Sequence, residues 1–163
     1  MRPDFTFPYK ALPVLGMFCF LASSCSRNVV LEVMRPLPAQ GWAYSNEIVV
    51  TYPNTDTAAV QDLLIQIRHR GDYPYRNLHV RCLVTGPEGD SLRCSRDVLL
   101  SDQQGYWLGQ SALGDHYLVV DTLKAGALFQ HRGNYTVRVI QNMRDNPLPA
   151  VVEVGLRIEK EPR

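Results

Sequence analysis

Leu63, Ile65 and Ile67 alternate with Leu64, Gln66 and Arg68, and further along Leu78, Val80, Cys82 and Val84 alternate with His79, Arg81 and Leu83. Successive side chains of a strand point to opposite faces, so this period-two pattern argues two strands, each with one buried face. Between them runs Gly71-Asp72-Tyr73-Pro74-Tyr75-Arg76-Asn77, whose Gly, Asp, Pro and Asn are suited to turning a chain. Short strands of the same kind are expected at 47–52, 91–100, 116–120, 127–130 and 135–143, and a last one carries Val152, Val154, Leu156 and Ile158 on one face. No stretch holds a helical period over three or four turns. Short strands separated by turn signals predict an all-β fold, a two-sheet β-sandwich of Ig-like or jelly-roll-like form, with a strand order that the pattern does not reveal.

The chain's 163 residues are one domain's worth, long enough to bury a core. Its amino terminus reads differently from the rest. Arg2 and Lys10 precede a twelve-residue apolar run, 11–22. A spanning helix needs about 20 such residues, so the run reads as the core of a signal peptide. It ends in Leu21-Ala22-Ser23-Ser24-Cys25, small residues before a cysteine, which resembles the bacterial lipobox with Leu21 one place further from the cysteine than usual. The expected division is a lipoprotein signal peptide at 1–24, a lipidated Cys25 with a tether at 25–41, and the β-sandwich at 42–163. Within that tether, 29–34 is apolar and fits either a first strand or the approach to the domain, while Pro36, Pro38 and Gly41 interrupt regular structure after it. Two or three acyl chains, at about 0.8 kcal/mol per buried CH₂, hold such a protein on a membrane without crossing it.

Without residues 1–24 the chain loses Arg2, Lys10 and Asp4, leaving 15 basic and 15 acidic side chains. Zero net charge gives no footprint for nucleic acid. Cys82 and Cys94 flank Thr85-Gly86-Pro87-Glu88-Gly89-Asp90-Ser91, a strong turn signal. If Thr85 pairs with Ser91, Cys82 falls opposite Cys94, at a spacing a disulfide accepts. The alternative is two free thiols.

No catalytic constellation is visible: HExxH, GxSxG, P-loop and dinucleotide fingerprints are all missing. His69, His79, His116 and His131 are scattered without metal-ligand spacing. The expectation is a protein with no enzyme activity, cofactor or metal. Tyr73, Tyr75, Tyr106, Trp107, Trp42 and Tyr44 fit three roles: closing the ends of the sandwich, a sugar-binding platform, or a protein-contact patch. Arg68, Arg70, Arg76 and Arg81 lie around the same loop, placed either to fork onto a partner's carboxylates or to pair with nearby acids.

Further residues carry a resemblance. Asp56-Thr57, Arg68, Tyr73-Pro74-Tyr75, Asn77-Leu78, Gly105, Trp107-Leu108-Gly109 and Gly114-Asp115 are followed by Gly133-Asn134-Tyr135-Thr136, Gln141, Met143-Arg144 and Val154-Gly155-Leu156-Arg157-Ile158-Glu159-Lys160. In this order they resemble the GldH family of gliding-motility-associated lipoproteins of the Bacteroidota; the Cys82/Cys94 pair and the offset lipobox depart from it. The resemblance implies a noncatalytic, lipid-anchored, periplasm-facing protein that serves gliding and the associated type IX secretion machinery through protein partners; Ser26 after the lipidated cysteine, where an aspartate favours inner-membrane retention in proteobacteria, points to the outer membrane. The family also occurs in bacteria that do not glide, which points to secretion or envelope assembly as its more general role. The contact set expected on this reading is Arg68, Asp72, Tyr73, Tyr75, Asn77 and Trp107, with Tyr73 and Tyr75 replaceable by alanine without loss of fold. The competing expectation is an envelope lipoprotein that binds carbohydrate or peptidoglycan through the aromatic patch.

Overall fold

A computed structural model describes residues 28–112, 114–126 and 129–161. The expected signal peptide and Cys25 lie outside them. Nine strands are present among the described residues: β1 (Val29–Pro36), β2 (Ile48–Asn54), β3 (Gln61–Arg70), β4 (Asn77–Thr85), β5 (Ser91–Leu99), β6 (Gln110–Ala112), β7 (His116–Lys124), β8 (Gly133–Gln141) and β9 (Val151–Lys160). They form a five-stranded sheet, β1-β9-β3-β7-β6, and a four-stranded sheet, β2-β8-β4-β5, with every pairing antiparallel.

This order has a simple origin. β4 pairs with β5, β3 with β7, β2 with β8 and β1 with β9, as if one long hairpin had been folded about the β4–β5 turn and rolled up. Rolling sends alternate pairs to opposite sheets, which is the jelly-roll arrangement, here with β6 as a short extra edge. The two-sheet sandwich read from the sequence is therefore present, in its jelly-roll rather than its Ig-like form.

Period two fixes the core. Leu63, Ile65 and Ile67 of β3 and Val154, Leu156 and Ile158 of β9 are fully buried, as are Leu78 and Val80 of β4 and Val139 of β8. Each such side chain contributes about 1.5–3 kcal/mol by leaving water. Gly155 stands in β9 between Met34 of β1 and Gln66 of β3, where an added Cβ would lie 2.5 Å from the Val33 carbonyl oxygen and 3.2 Å from Gln66 Oε1. Only a residue without a side chain lets three strands lie this close there.

The structure differs from the sequence reading at two places. β1 pairs with β9 from Val29↔Glu159 to Pro36↔Glu153, so the sandwich takes up residues that the sequence reading placed in the 25–41 tether. Leu31 and Val33 turn toward the core while Glu32 turns outward, the same alternation that marks the other strands. At 127–130 no strand appears in the described part. Phe129 is a plug instead, 2% exposed, with its ring edge-on to Tyr52 and Tyr135 at 5.0 Å from each.

The antiparallel register gives the sandwich two distinct ends. Asn28 accepts a hydrogen bond from the Lys160 N–H at 2.7 Å, and Lys160 lies opposite Gln61, so the chain enters beside the start of β3. The turns at Asp56, Gly89 and His131 share this end. The loops carrying Trp42, Tyr73 and Asp145 follow the other ends of the same strands. β3 is ten residues long, which separates the two ends by about 30 Å.

Candidate functional site

The far end, opposite the start of β1, collects the loop aromatics Trp42, Tyr44, Tyr73, Tyr75, Tyr106 and Trp107. His69 is the last inward-facing residue of β3 and is fully buried. Around it lie the rings of Trp107 at 4.7 Å, edge-on, Tyr117 at 5.6 Å, stacked, and Tyr73 at 5.6 Å. Nδ1 of His69 lies 2.9 Å from the Arg70 carbonyl, which can only accept, so Nδ1 carries the proton. Nε2 is buried and has no hydrogen-bond partner among the described residues. Burial disfavours the charged ring and pulls the His69 pKa below its usual value, against a smaller opposing pull from the Arg70 carbonyl. His69 is thus a neutral core residue that seals this end.

The sequence-derived contact residues divide sharply on this geometry. Tyr73 is 4% exposed and its hydroxyl donates to the Asn77 carbonyl at 3.0 Å, so it faces the core and not a partner. Burial drives its phenol pKa far up. Trp107 is half-buried against Tyr73 and His69. Tyr75 is half-buried and donates to Asp145 Oδ2 at 2.7 Å. Asn77 donates from its amide to Asp97 across the β4–β5 pair, and Arg68 pairs with Glu153 on the outer face of the five-stranded sheet. Asp72 alone of the six is well exposed, held in a two-pronged pair with Arg70 at 2.9 Å on each prong. That pair keeps the Asp72 carboxyl below the usual carboxylate range. The rings therefore do not form the open platform a sugar would stack on.

What this end does present is Tyr106, 73% exposed, and Tyr44, 45% exposed. Asp102 Oδ1 accepts from the Gln104 and Tyr106 N–H groups at 2.9 Å, and Gly105 supplies a φ of +89°, so a tight turn lifts Tyr106 into solvent. Tyr44 is fixed more firmly, its N–H donating to Asn146 Oδ1 at 2.9 Å and its hydroxyl to the Met143 carbonyl. The sequence reading expected the loop 106–109 to contact a partner but named Trp107 and not Tyr106 from it; the Asp102-x-x-Gly105 turn before it is the signal that separates an exposed tyrosine from a packed one.

Other residues that carried the resemblance hold loops and edges together. Lys160 donates to Asp56 Oδ2 at 2.7 Å, and this bond lowers the Asp56 pKa. Gln141, fully buried, donates to the Asp145 carbonyl at 2.9 Å and accepts from the Met143 N–H at 2.7 Å. Gly71 lets Asp115 approach to where a Cβ would stand 2.2 Å from its carboxylate. Cys82 and Cys94 are directly opposed, with Cα atoms 5.0 Å apart, in the register that the turn implied. Among the described residues no three His, Cys, Asp or Glu side chains converge as metal ligands.

Comparison with known proteins bears on this arrangement. The GldH lipoprotein family matches residues 29–158, from the first residue of β1 to within two residues of the end of β9. The chain belongs to the GldH lipoprotein family. A relative from Christiangramia forsetii, the gliding motility lipoprotein GldH homolog, is 29% identical over 147 residues, covering 86% of this chain and 89% of its own length. The gliding motility lipoprotein GldH of Flavobacterium johnsoniae is 22% identical over 162 residues, covering 91% of this chain and 95% of its own. Among solved structures, a family GH115 4-O-methyl-alpha-glucuronidase with specificity for decorated arabinogalactans matches 99% of this chain but only 20% of its own, at 11% identity and a TM-score of 0.38; a likeness this weak carries nothing about function. For a GldH-family chain the consequence is structural: the match spans the whole sandwich, with both of its ends.

Proposed function

We propose that this GldH-family protein is a noncatalytic, lipid-anchored scaffold of the gliding apparatus and its associated type IX secretion machinery. Cys25 carries the lipid, and the sandwich faces the periplasm from the outer membrane. One observation carries the mechanism: the chain enters the sandwich at the end opposite the exposed tyrosines. Four residues from Cys25 to Val29 reach at most about 14 Å, so the anchored end stays close to the bilayer. The far end then stands about 30 Å beyond it. Tyr106, Tyr44 and the Arg70–Asp72 pair are the groups this end offers to a protein partner, since an exposed tyrosine brings a large rigid surface with little entropy to lose.

An in-frame deletion strain tests the reading. It should spread poorly as a colony and fail to release type IX cargo into the medium, and the wild-type gene should restore both. Normal spreading together with a normal secreted proteome would remove the protein from that machinery.

A further inference from the structure

The outer face of the four-stranded sheet carries three arginines that the far-end surface does not use. Register places them. Val49, Arg138, Leu83 and Arg93 lie in one row across β2, β8, β4 and β5, and Ile140, Arg81 and Ser95 lie in the adjacent row. Arg138 and Arg93 stand two strand spacings apart, about 10 Å, with Arg81 about 8 Å from each. Arg138 reaches Glu47 at 2.8 Å. Arg81 and Arg93 are exposed, and among the described residues neither has a carboxylate partner. Asp97, on the same face, is already engaged by Asn77. The three side chains, with Glu47 beside Arg138, rim a shallow depression of about 240 Å³ that Cys82, Leu83 and Ile140 also line.

Like charges this close repel one another, and of the three only Arg138 has a carboxylate partner among the described residues. Beyond the arginines lies a row of hydroxyls, Thr51, Thr136, Thr85 and Ser91, each directly opposite the next. No Phe, Tyr or Trp points outward from these four strands, because Tyr52 and Tyr135 both turn into the core. A sugar ring would find no face to stack on. Aliphatic lining, arginine rim and hydroxyl border suit a protein segment instead, because a guanidinium fork matches a carboxylate in two parallel hydrogen bonds and arginine is enriched at protein interfaces.

We propose that Arg81, Arg93 and Arg138 form a docking surface for an acidic segment of a partner protein, one whose Asp or Glu side chains meet the unpaired guanidiniums of Arg81 and Arg93. The surface is independent of how the chain is anchored and distinct from the far-end tyrosines.

The test is a titration of the purified full-length protein in detergent micelles, at about 50 mM salt, with poly-L-glutamate as the probe. Polygalacturonate and glycerol phosphate serve as competitors that represent an acidic glycan and a lipid headgroup. Poly-L-glutamate should bind, and its Kd should rise at least tenfold in Arg81→Ser/Arg93→Ser while Arg35→Ser, on the other sheet, leaves it unchanged. Arg81→Lys/Arg93→Lys, which keeps the charge and loses the fork, should fall between them and covers the case in which the serine variant does not fold. Competition by polygalacturonate as strong as poly-L-glutamate itself would reassign the face to glycan, and equal competition by glycerol phosphate would reassign it to lipid. No binding, or binding indifferent to the arginines, would overturn the proposal outright.

Discussion

The Tyr75 hydroxyl donates to Asp145 Oδ2 at 2.7 Å, joining two loops that lie 70 residues apart in sequence. It ties the β3–β4 loop to the β8–β9 loop across the far end of the sandwich, and the Asp145 carboxylate raises the Tyr75 pKa. Tyr75→Phe keeps the ring and removes the bond. It should lower the urea unfolding midpoint modestly, since water can take over part of the bond at a site half open to solvent. Asp145→Asn should cost a similar amount, and the double variant no more than the larger single one; additive losses would show that the two residues act separately.

Tyr73 and Tyr106 should respond in opposite ways. Truncating the buried Tyr73 to alanine leaves a cavity beside His69 and removes the bond to Asn77, a loss of about 3–5 kcal/mol. This replaces the expectation, drawn from sequence, that Tyr73 can be exchanged without harm to the fold. Tyr106→Ala touches little and should change stability by less than about 0.5 kcal/mol. Chemical denaturation of the two variants checks both values, and a Tyr73→Ala protein as stable as wild type would contradict the burial argument.

His69 predicts a pH dependence with a definite sign. Its folded pKa lies below the ordinary 6.5, so the unfolded chain takes up a proton more readily than the folded one. Stability from keeping this ring neutral is complete above pH 6.5 and is lost as the pH falls from there toward the folded value, at up to about 1.4 kcal/mol per pH unit. Unfolding free energies measured from pH 7.5 to 5.5 should show this fall, and His69→Phe should flatten it. A slope unchanged in the variant would assign it to other groups.

The opposed cysteines call for a chemical test. We expect Cys82 and Cys94 to be bonded in the oxidised protein, so neither should take up a thiol reagent until reductant is added. Closing a loop of this size contributes about 3 kcal/mol, so Cys82→Ser/Cys94→Ser should melt several degrees lower. Immediate labelling of both thiols without reductant would show them free.

The amount of this that the sequence disclosed depends on which physical signal each feature leaves. Strands β3, β4 and β9 were legible because each has one buried face, which writes itself as alternation. The Cys82–Cys94 register was legible because a short turn fixes the pairing of a hairpin. β1 was ambiguous since Pro36 and Pro38 come closely after a short run, and the strand is settled only by β9, over 100 residues away. The jelly-roll order left no local trace, being set by which distant strands pair. Aromatic residues misled for a related reason: Tyr73 and Tyr106 both lie in polar loops with a neighbouring glycine, and only the packing of His69 and Trp107 shows which one is inside. The arginine face needed register too. Arg81, Arg93 and Arg138 are scattered along the chain and become neighbours only once β8, β4 and β5 are laid side by side.

The most direct measurement is colony spreading and type IX cargo release in the deletion strain, complemented with wild-type protein, with Cys25→Ser, and with Tyr44→Ala/Tyr106→Ala, at matched protein levels. The account predicts full rescue by wild type, none by Cys25→Ser, and a clear loss with the tyrosine variant even though it folds and fractionates with the membrane. Full rescue by Cys25→Ser would contradict the anchored scaffold, and full rescue by the tyrosine variant would remove the far end as its contact surface.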